Sequence, residues 1–249
     1  MQKKTNRINN TFYDTLDQSW FTAKDHPIAL LRAENAIRNP WIAQTIEQIK
    51  GPSQTLLDIG CGAGLLSNYC AKLGHLVTGI DLSDSSLALA EKESKNPSTL
   101  YIKANAEALP FSDASFDVVS AMDLLEHVES PDLVIKEASR VLKPGGIFFF
   151  HTFNRNFLSY IIIIKGVDWF VKNAPKNMHV YPLFIKPKEL EAFCLKENLK
   201  VENIQGLIPD VFTKAFWKML SRGEIADDFR FTFCKSLLTG YVGFARKNG

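Results

Sequence analysis

The stretch Leu56-Leu57-Asp58-Ile59-Gly60-Cys61-Gly62-Ala63-Gly64-Leu65-Leu66 decides the fold. Its short apolar run ending in Asp58 predicts a buried strand, and Leu65 to Ala71 predicts the helix that follows. Glycine at the alternate positions Gly60, Gly62 and Gly64 permits positive φ and lets a ligand lie against bare backbone. The free N–H groups at the start of the following helix then face that ligand. Strand, glycine turn and helix in this order form the nucleotide-binding end of a doubly wound α/β sheet.

The spacing is Asp-x-Gly-x-Gly-x-Gly, not the dinucleotide fingerprint Gly-x-Gly-x-x-Gly. A pyrophosphate favours a helix N-terminus, but the acid Asp58 inside the same loop would repel it. Asp58 suits a cofactor that carries a cationic sulfonium and ammonium and no phosphate. S-adenosylmethionine meets that description; NAD does not, which disfavours a dehydrogenase. A second strand, Leu76 to Asp81, ends in an acid about where such folds hold the ribose hydroxyls. The plain alternative is that Asp81 only caps the helix begun by Ser83 to Ser86.

Working outward, the segment from Leu56 to Arg246 alternates strands and helices, which predicts βαβ units and a mostly parallel sheet. A helix is predicted over Ser85 to Ser94. Strand three is Leu100 to Lys103, with Asn105 and Ala106 at its carboxyl end. Asn105 either accepts from an adenine amino group or simply turns the chain. Strand four is Phe116 to Ala121, leading to Met122 at the mouth. A helix from Pro131 to Leu142 stops at a tight turn, Lys143-Pro144-Gly145-Gly146, before strand five, Ile147 to Phe150. Leu199 to Gln205 and Tyr241 to Arg246 predict an antiparallel edge, for seven strands in all.

On the N-terminal side, residues 1–10 are polar and expected to fray. Phe12 to Lys50 reads as helical, with a break at Asn39-Pro40 and a stripe of Tyr13, Leu16, Trp20 and Phe21. This cap is expected to pack over the cofactor mouth. Within it Arg32 is either a surface residue paired with a nearby Glu or a bidentate clamp for the cofactor carboxylate.

Size and composition set bounds. A chain of 249 residues with 46% hydrophobic and 22% charged residues suits one soluble domain, residues 1–249. A net charge of +2 gives no reason to expect nucleic acid. Four cysteines without metal-type spacing suggest reduced thiols in the cytoplasm. The N-terminus lacks the apolar core of a signal peptide, and no run reaches the ~18 apolar residues of a spanning helix.

After strand four, Asp123, Glu126 and His127 fall within one turn at the carboxyl ends of the strands. Residues at i and i+3 or i+4 of a helical turn share a face, so these three are expected to converge. Two carboxylates and an imidazole suit a divalent ion, Mg²⁺ most simply, which lowers the pKa of a chelated catechol. Without a metal, His127 is the best general base, because its pKa lies near working pH. A third possibility is a solvated acidic turn. The longest irregularity, Phe153 to Pro187, holds Phe157 to Ile164, Trp169 and Phe170 among several lysines. It reads as an interfacial segment on an anionic membrane, or as a helix buried against the sheet or in a dimer.

The glycine loop and Val77-Thr78-Gly79-Ile80-Asp81-Leu82-Ser83 resemble the class I S-adenosylmethionine-dependent methyltransferases, over Leu56 to Phe150. Further motifs are similar to one subgroup, the ubiquinone-biosynthesis O-methyltransferases. They are Met122-Asp123-Leu124-Leu125-Glu126-His127-Val128, Thr152-Phe153-Asn154-Arg155-Asn156, Pro175-Lys176-Asn177-Met178-His179 and Phe184-Ile185-Lys186-Pro187-Lys188-Glu189-Leu190. The resemblance implies O-methylation of polyprenylated catechols and quinols, with cofactor contacts at Arg32, Gly60, Asp81 and Met122. It implies a divalent ion at Asp123, Glu126 and His127 and membrane docking through residues 157–176, on the inner face of the membrane. It also suggests a place in a ubiquinone-biosynthesis complex. The family usually has Glu where Asp123 stands, and Leu207 to Leu238 matches it only loosely. The rival readings are a methyltransferase for another small aromatic or lipid acceptor, and an idle cofactor-binding scaffold.

Overall fold

The structure is a computed structural model that describes residues 8–249. Its strands are β1 (Thr55–Ile59), β2 (Leu76–Asp81), β3 (Leu100–Lys103), β4 (Phe116–Met122), β5 (Leu142–Phe153), β6 (Leu199–Pro209), β7 (Phe231–Cys234) and β8 (Gly240–Lys247). They form one sheet in the order β3-β2-β1-β4-β5-β8-β6-β7. The pairings from β3 through β5 are parallel. Those of β8 with β5 and β6, and of β7 with β6, are antiparallel. The expected doubly wound sheet is present, with eight strands in place of seven. The extra strand, β7, is a four-residue edge too short to carry a readable alternation.

The central strands are apolar on both faces because both faces are covered. On one side Leu57, Ile59, Val119 and Phe148 pack with helices α5 (Pro131–Val141) and α8 (Pro187–Lys196). On the other, Leu56, Val118 and Phe149 meet Ile42 and Ile46 of α2 (Ile28–Lys50) and Leu66 and Cys70 of α3 (Leu65–Lys72). Helix α4 (Asp84–Glu93) starts at Ser83, whose hydroxyl accepts from the Ser86 N–H at 3.2 Å. The chain winds one way from β1 to β3 and the other way from β4, so a crevice opens above β1 and β4.

Several expectations need correction. Residues 1–7 lie outside the described region, but Asn9 and Asn10 are tied down: Asn9 N–H donates to the Asn177 carbonyl at 2.9 Å. The stripe from Tyr13 to Phe21 is not one helix but a short 3₁₀ turn, Thr11–Thr15, and the single turn α1 (Ser19–Thr22). Helix α2 runs through Asn39-Pro40 without ending. A proline there forfeits one hydrogen bond, and the burial of Ile42, Ala43 and Ile46 beyond it outweighs that local cost. The turn at Lys143 to Gly146 is absorbed into β5 through a register shift against β4. The insertion contains one continuous helix, made of α6 (Phe157–Ser159), a widened turn (Tyr160–Lys165) and α7 (Gly166–Phe170). Within the loosely matching Leu207 to Leu238 region, Phe216 and Trp217 lie on helix α9 (Lys214–Arg222), capped by the Thr213 hydroxyl and stopped by Gly223 at φ 69°.

Candidate active site

A cavity of about 600 Å³ opens at the carboxyl ends of β1, β2 and β4. Asp58, Gly60, Gly62, Asp81, Asn105, Ala106 and Met122 all line it, as the sequence led us to expect. Asp81, at the end of β2, accepts from the Gly62 and Ser83 amides, each at 2.9 Å, so its carboxylate is fixed at the cavity wall. Burial raises its pKa. Asp58 lies deeper. Hydroxyls of Ser67 and Ser120 donate to its two oxygens at 2.6 and 2.8 Å, and burial pushes its carboxyl up to about 6. The Asn105 amide oxygen accepts from the Glu107 N–H at 2.9 Å, so Asn105 both turns the chain and faces the cavity.

The N-terminal cap closes this cavity, as expected. Tyr13 and Trp20 stack at 5.6 Å between ring centres, and both line the cavity wall. Gly62 (φ 51°) makes room for this lid: a Cβ there would stand 2.6 Å from the Trp20 ring. Gly64 (φ 75°) does not reach the cavity; its missing Cβ leaves space for the Tyr101 hydroxyl behind the loop. Arg32 does not reach it either. Its guanidinium donates to the carbonyls of Ser19 and Trp20, at 3.3 and 3.2 Å, and to that of Ala23. Arg32 thus braces the lid, its guanidinium turned to the carbonyls around α1 and not into the cavity where the expected carboxylate clamp would act.

A second cavity, about 340 Å³ and strongly apolar, adjoins the first. The two share Tyr13, Leu31, Asp123 and His127. Ile161 to Ile163 and Val167 of the insertion wall it on one side, and Phe216, Met219 and Leu220 of α9 on another.

Two buried charge clusters sit at this junction. Asp123, at φ 56°, turns its carboxylate inward onto Arg38, with Nη1–Oδ1 2.8 Å and Nη2–Oδ2 2.5 Å. Glu34 lies 3.3 Å from the same guanidinium, and His151 Nδ1 bonds to Asp123 Oδ1. The arginine and histidine hold the Asp123 carboxyl well below the usual range. The other cluster is Glu126, His127 and His179, whose ligating atoms all lie within 4.8 Å of one another. Asp123, Glu126 and His127 thus do not converge as expected. Asp123 in the left-handed region precedes the 3₁₀ turn Leu125–His127, so the helical i, i+3 relation never forms.

The protonation states also differ from expectation. Burial pushes His127 down to about 4 and His179 to about 3. Glu126, fully buried and near the Asp123 charge, is pushed up to about 8. His127 is therefore not a base with a pKa near working pH; Glu126 is the group that titrates there.

Residues 57–150 match the family model described as "Methyltransferase domain". The ubiquinone biosynthesis O-methyltransferase of Paraburkholderia xenovorans is 38% identical over 185 residues, 73% of this chain and 78% of that protein. The protein of the same name from Coxiella burnetii is 37% identical over 199 residues, 78% of this chain and 82% of its own. The chain belongs to the ubiquinone-biosynthesis O-methyltransferase family. Among solved structures, magnesium protoporphyrin IX methyltransferase from Synechocystis PCC 6803, with bound SAH, aligns at TM-score 0.66 over 96% of this chain and 95% of that one. At 15% identity that likeness concerns the fold alone.

Membership makes the chain an S-adenosylmethionine-dependent O-methyltransferase, and the first cavity fits that cofactor. Asp81 retains outward lone pairs for ribose hydroxyls, and Asp58 and Asp81 give the wall the negative potential a sulfonium favours. The family motifs also explain themselves in space. Arg155 donates to the carbonyls of Pro182 and Phe184 and pairs with Glu189, so the Asn-Arg-Asn and Ile-Lys-Pro stretches clasp each other. Asn154 and Asn156 donate to the carbonyls of Leu237 and Leu238, at 2.7 and 2.8 Å. Sequence reasoning missed Arg38 and His179 as members of the two clusters. The Glu34–Arg38 spacing of i, i+4 was the one available signal.

Proposed function

We propose that this methyltransferase acts on the phenolic oxygen of a polyprenylated catechol or quinol intermediate of ubiquinone biosynthesis. The observation that carries the reading is the pair of cavities meeting at Tyr13, Asp123 and His127, one polar and one apolar. An aromatic head at the junction would expose its hydroxyl to the first cavity while its isoprenoid chain lies in the second. The names of the curated relatives favour the same acceptor class.

S-adenosylmethionine supplies, when bound, a methyl group on a sulfonium that an oxygen nucleophile displaces. The chain's part is to hold donor and acceptor in line and to make the acceptor a phenolate. Glu126 lies behind His127, fully buried and lining neither cavity, and with a carboxyl near 8 it is matched to hold a phenolic proton passed on through the His127 ring. Neutral His127 lines both cavities and orients the acceptor. A divalent ion at Glu126 and His127, Mg²⁺ in the sequence reading, would stabilise the phenolate in place of proton uptake by Glu126.

No helix among the described residues is long and apolar enough to cross a membrane. Phe157, Trp169, Phe212 and Trp217 are nonetheless 62–96% exposed. Helices α7 and α9 pack together through Val167, Ala215 and Met219, so Trp169 and Trp217 stand on adjoining elements; Lys165 and Lys172 lie on the same segment, paired with Asp168 and Glu224, and Lys218 lies on α9. This surface suits docking on an anionic bilayer, at the entrance through which a lipid acceptor would reach the apolar cavity.

The test is transfer of labelled methyl from S-adenosylmethionine to a short-tailed polyprenyl catechol. Turnover with a preference for the prenylated over the bare catechol is expected. Cofactor binding with no turnover on either would move the reading to another acceptor or to an idle scaffold.

A further inference from the structure

We propose that the Tyr13 hydroxyl is a catalytic hydrogen-bond donor that holds the attacking oxygen of the acceptor at the passage between the two cavities. The proposal rests on the phenolic-acceptor reading for the nature of that oxygen. The place and the donor come from the chain itself.

Tyr13, Leu31, Asp123 and His127 line both cavities, so donor and acceptor meet between these four side chains. Leu31 is apolar, both Asp123 oxygens are taken by Arg38, and His127 Nδ1 is taken by Asn10 Oδ1 at 3.0 Å. The Tyr13 hydroxyl has no hydrogen-bond partner among the described residues, and it is not sealed into the protein. Burial, and then the charges of Asp123, Glu126 and Asp81, raise its pKa, which sets it between the acids of the cofactor cavity and those of the turn after β4. A phenol in that place keeps its proton and offers a donor.

The hydroxyl is also held still. The Tyr13 ring stacks on Trp20 at 5.6 Å between centres and meets the His127 ring edge-on at 5.8 Å. Upstream, Asn10 Nδ2 donates to the His127 carbonyl at 3.1 Å; downstream, the Asp14 carbonyl accepts from the Ser85 hydroxyl of α4 at 3.2 Å. The cap is thus pinned on both sides of Tyr13, and a fixed donor is what in-line attack requires.

A donor here suits the reaction. A hydrogen bond strengthens as the accepting oxygen gains charge, so it favours the phenolate over the phenol. The phenolic proton leaves on the His127 side, towards Glu126. The oxygen forms its new bond to carbon as the sulfur–carbon bond breaks, and Tyr13 keeps its own proton throughout. The lid needs only the ring; the acceptor needs the hydroxyl.

The experiment compares Tyr13→Phe, which deletes the hydroxyl and keeps the stacked ring, with the unaltered full-length protein. Nitrocatechol, whose absorbance reports its ionisation, is titrated into each with S-adenosylhomocysteine present, and methyl transfer to a short-tailed prenyl catechol is measured beside it. Tyr13→Phe should bind nitrocatechol roughly 10–100-fold more weakly, the scale of a lost hydrogen bond to a charged oxygen, and lose kcat/KM on the catechol by a similar factor. Its S-adenosylmethionine affinity should stay within about twofold, which also checks folding. Tyr13→Leu, which removes the ring, should weaken the cofactor as well. Unchanged nitrocatechol affinity in Tyr13→Phe overturns the proposal. So does a parallel loss of S-adenosylmethionine, which would make Tyr13 part of the lid alone, and so does an unaltered protein that binds no nitrocatechol. If nitrocatechol binding depends on the hydroxyl but the unaltered protein methylates no prenyl catechol, the acceptor reading falls and the Tyr13 donor stands. Methylation of the catechol at equal rates by both proteins does the reverse.

Discussion

Arg38 and Asp123 meet as a two-pronged ion pair beneath the active site, with Nη1–Oδ1 at 2.8 Å and Nη2–Oδ2 at 2.5 Å. The arginine comes from the middle of α2 and is fully buried; the aspartate follows β4. Their bond explains why Asp123 adopts a left-handed backbone conformation, and why its carboxylate points away from Glu126 and His127. The pair ties the helical cap to the turn that follows β4. Buried pairs of this kind hold geometry more than they add stability, because desolvation offsets most of the attraction.

Removing one member is a different matter. Arg38→Met strands Asp123 with only His151 beside it and should cost about 3–5 kcal/mol in urea unfolding. Arg38→Lys should recover only part, since an ammonium cannot make both bonds at once. A loss below about 1 kcal/mol for the methionine variant would show that the pair does not hold the cap to the turn.

Asp58 gives a pH signature. Its carboxyl is pushed up to about 6 in the fold from an ordinary 3.8. Between those values the folded chain holds a proton that the unfolded chain has released. Stability therefore falls as pH rises from about 4 to 6, by up to about 3 kcal/mol at 1.36 kcal/mol per unit. Asp58→Asn keeps a partner for the Ser67 and Ser120 hydroxyls, which can rotate to accept, and should flatten this slope. A slope unchanged in the variant would assign it to another group.

Arg32 separates two roles by choice of ligand. If it braces the lid through the carbonyls of Ser19, Trp20 and Ala23, Arg32→Met should weaken S-adenosylmethionine and a decarboxylated analogue alike. The loss expected from a looser lid is about tenfold. A carboxylate clamp would instead lose affinity only for the intact cofactor. Calorimetry on the two ligands distinguishes these outcomes.

The parts legible in the sequence were those whose signal is local. Three alternate glycines and two strand-end acids fall within one βαβ unit, so spacing alone pointed to the cavity above β1 and β4. The charge clusters were not legible, because Arg38 lies 85 residues from Asp123 and nothing local marks the partnership. His179 arrives from an insertion without periodicity, and the partners of Arg32 are backbone carbonyls, which sequence does not reveal. Helix α9 was readable after all. Thr213 before it and Gly223 after it are ordinary start and stop signals, overlooked beside the exposed aromatic residues.

Asp81 and Glu126 should divide binding from chemistry. Asp81→Ala removes the carboxylate proposed to hold the ribose and the anchor of the Gly62 amide, so cofactor affinity should fall by about 10²–10³. Glu126→Gln leaves the first cavity intact, and cofactor affinity should change by no more than about twofold. Its turnover should fall by about 10²-fold or more. Parallel losses of binding in both variants would mean that the two cavities do not act separately.

The exposed aromatic residues of the insertion and α9 predict how the enzyme meets lipid. Trp169 and Phe212 are 64% and 96% exposed, and each would bury apolar surface on entering a headgroup layer. The double variant Trp169→Ser, Phe212→Ser should lower binding to vesicles containing phosphatidylglycerol by about 10–100-fold. Binding by the unaltered protein should weaken only modestly with salt, because Lys165 and Lys172 are paired with Asp168 and Glu224 and little net positive charge is left for the bilayer. Turnover on a bare catechol should be unchanged in the double variant, while turnover on a long-tailed acceptor in vesicles should fall with binding. A variant that still sediments with the vesicles would move the docking surface elsewhere on the chain.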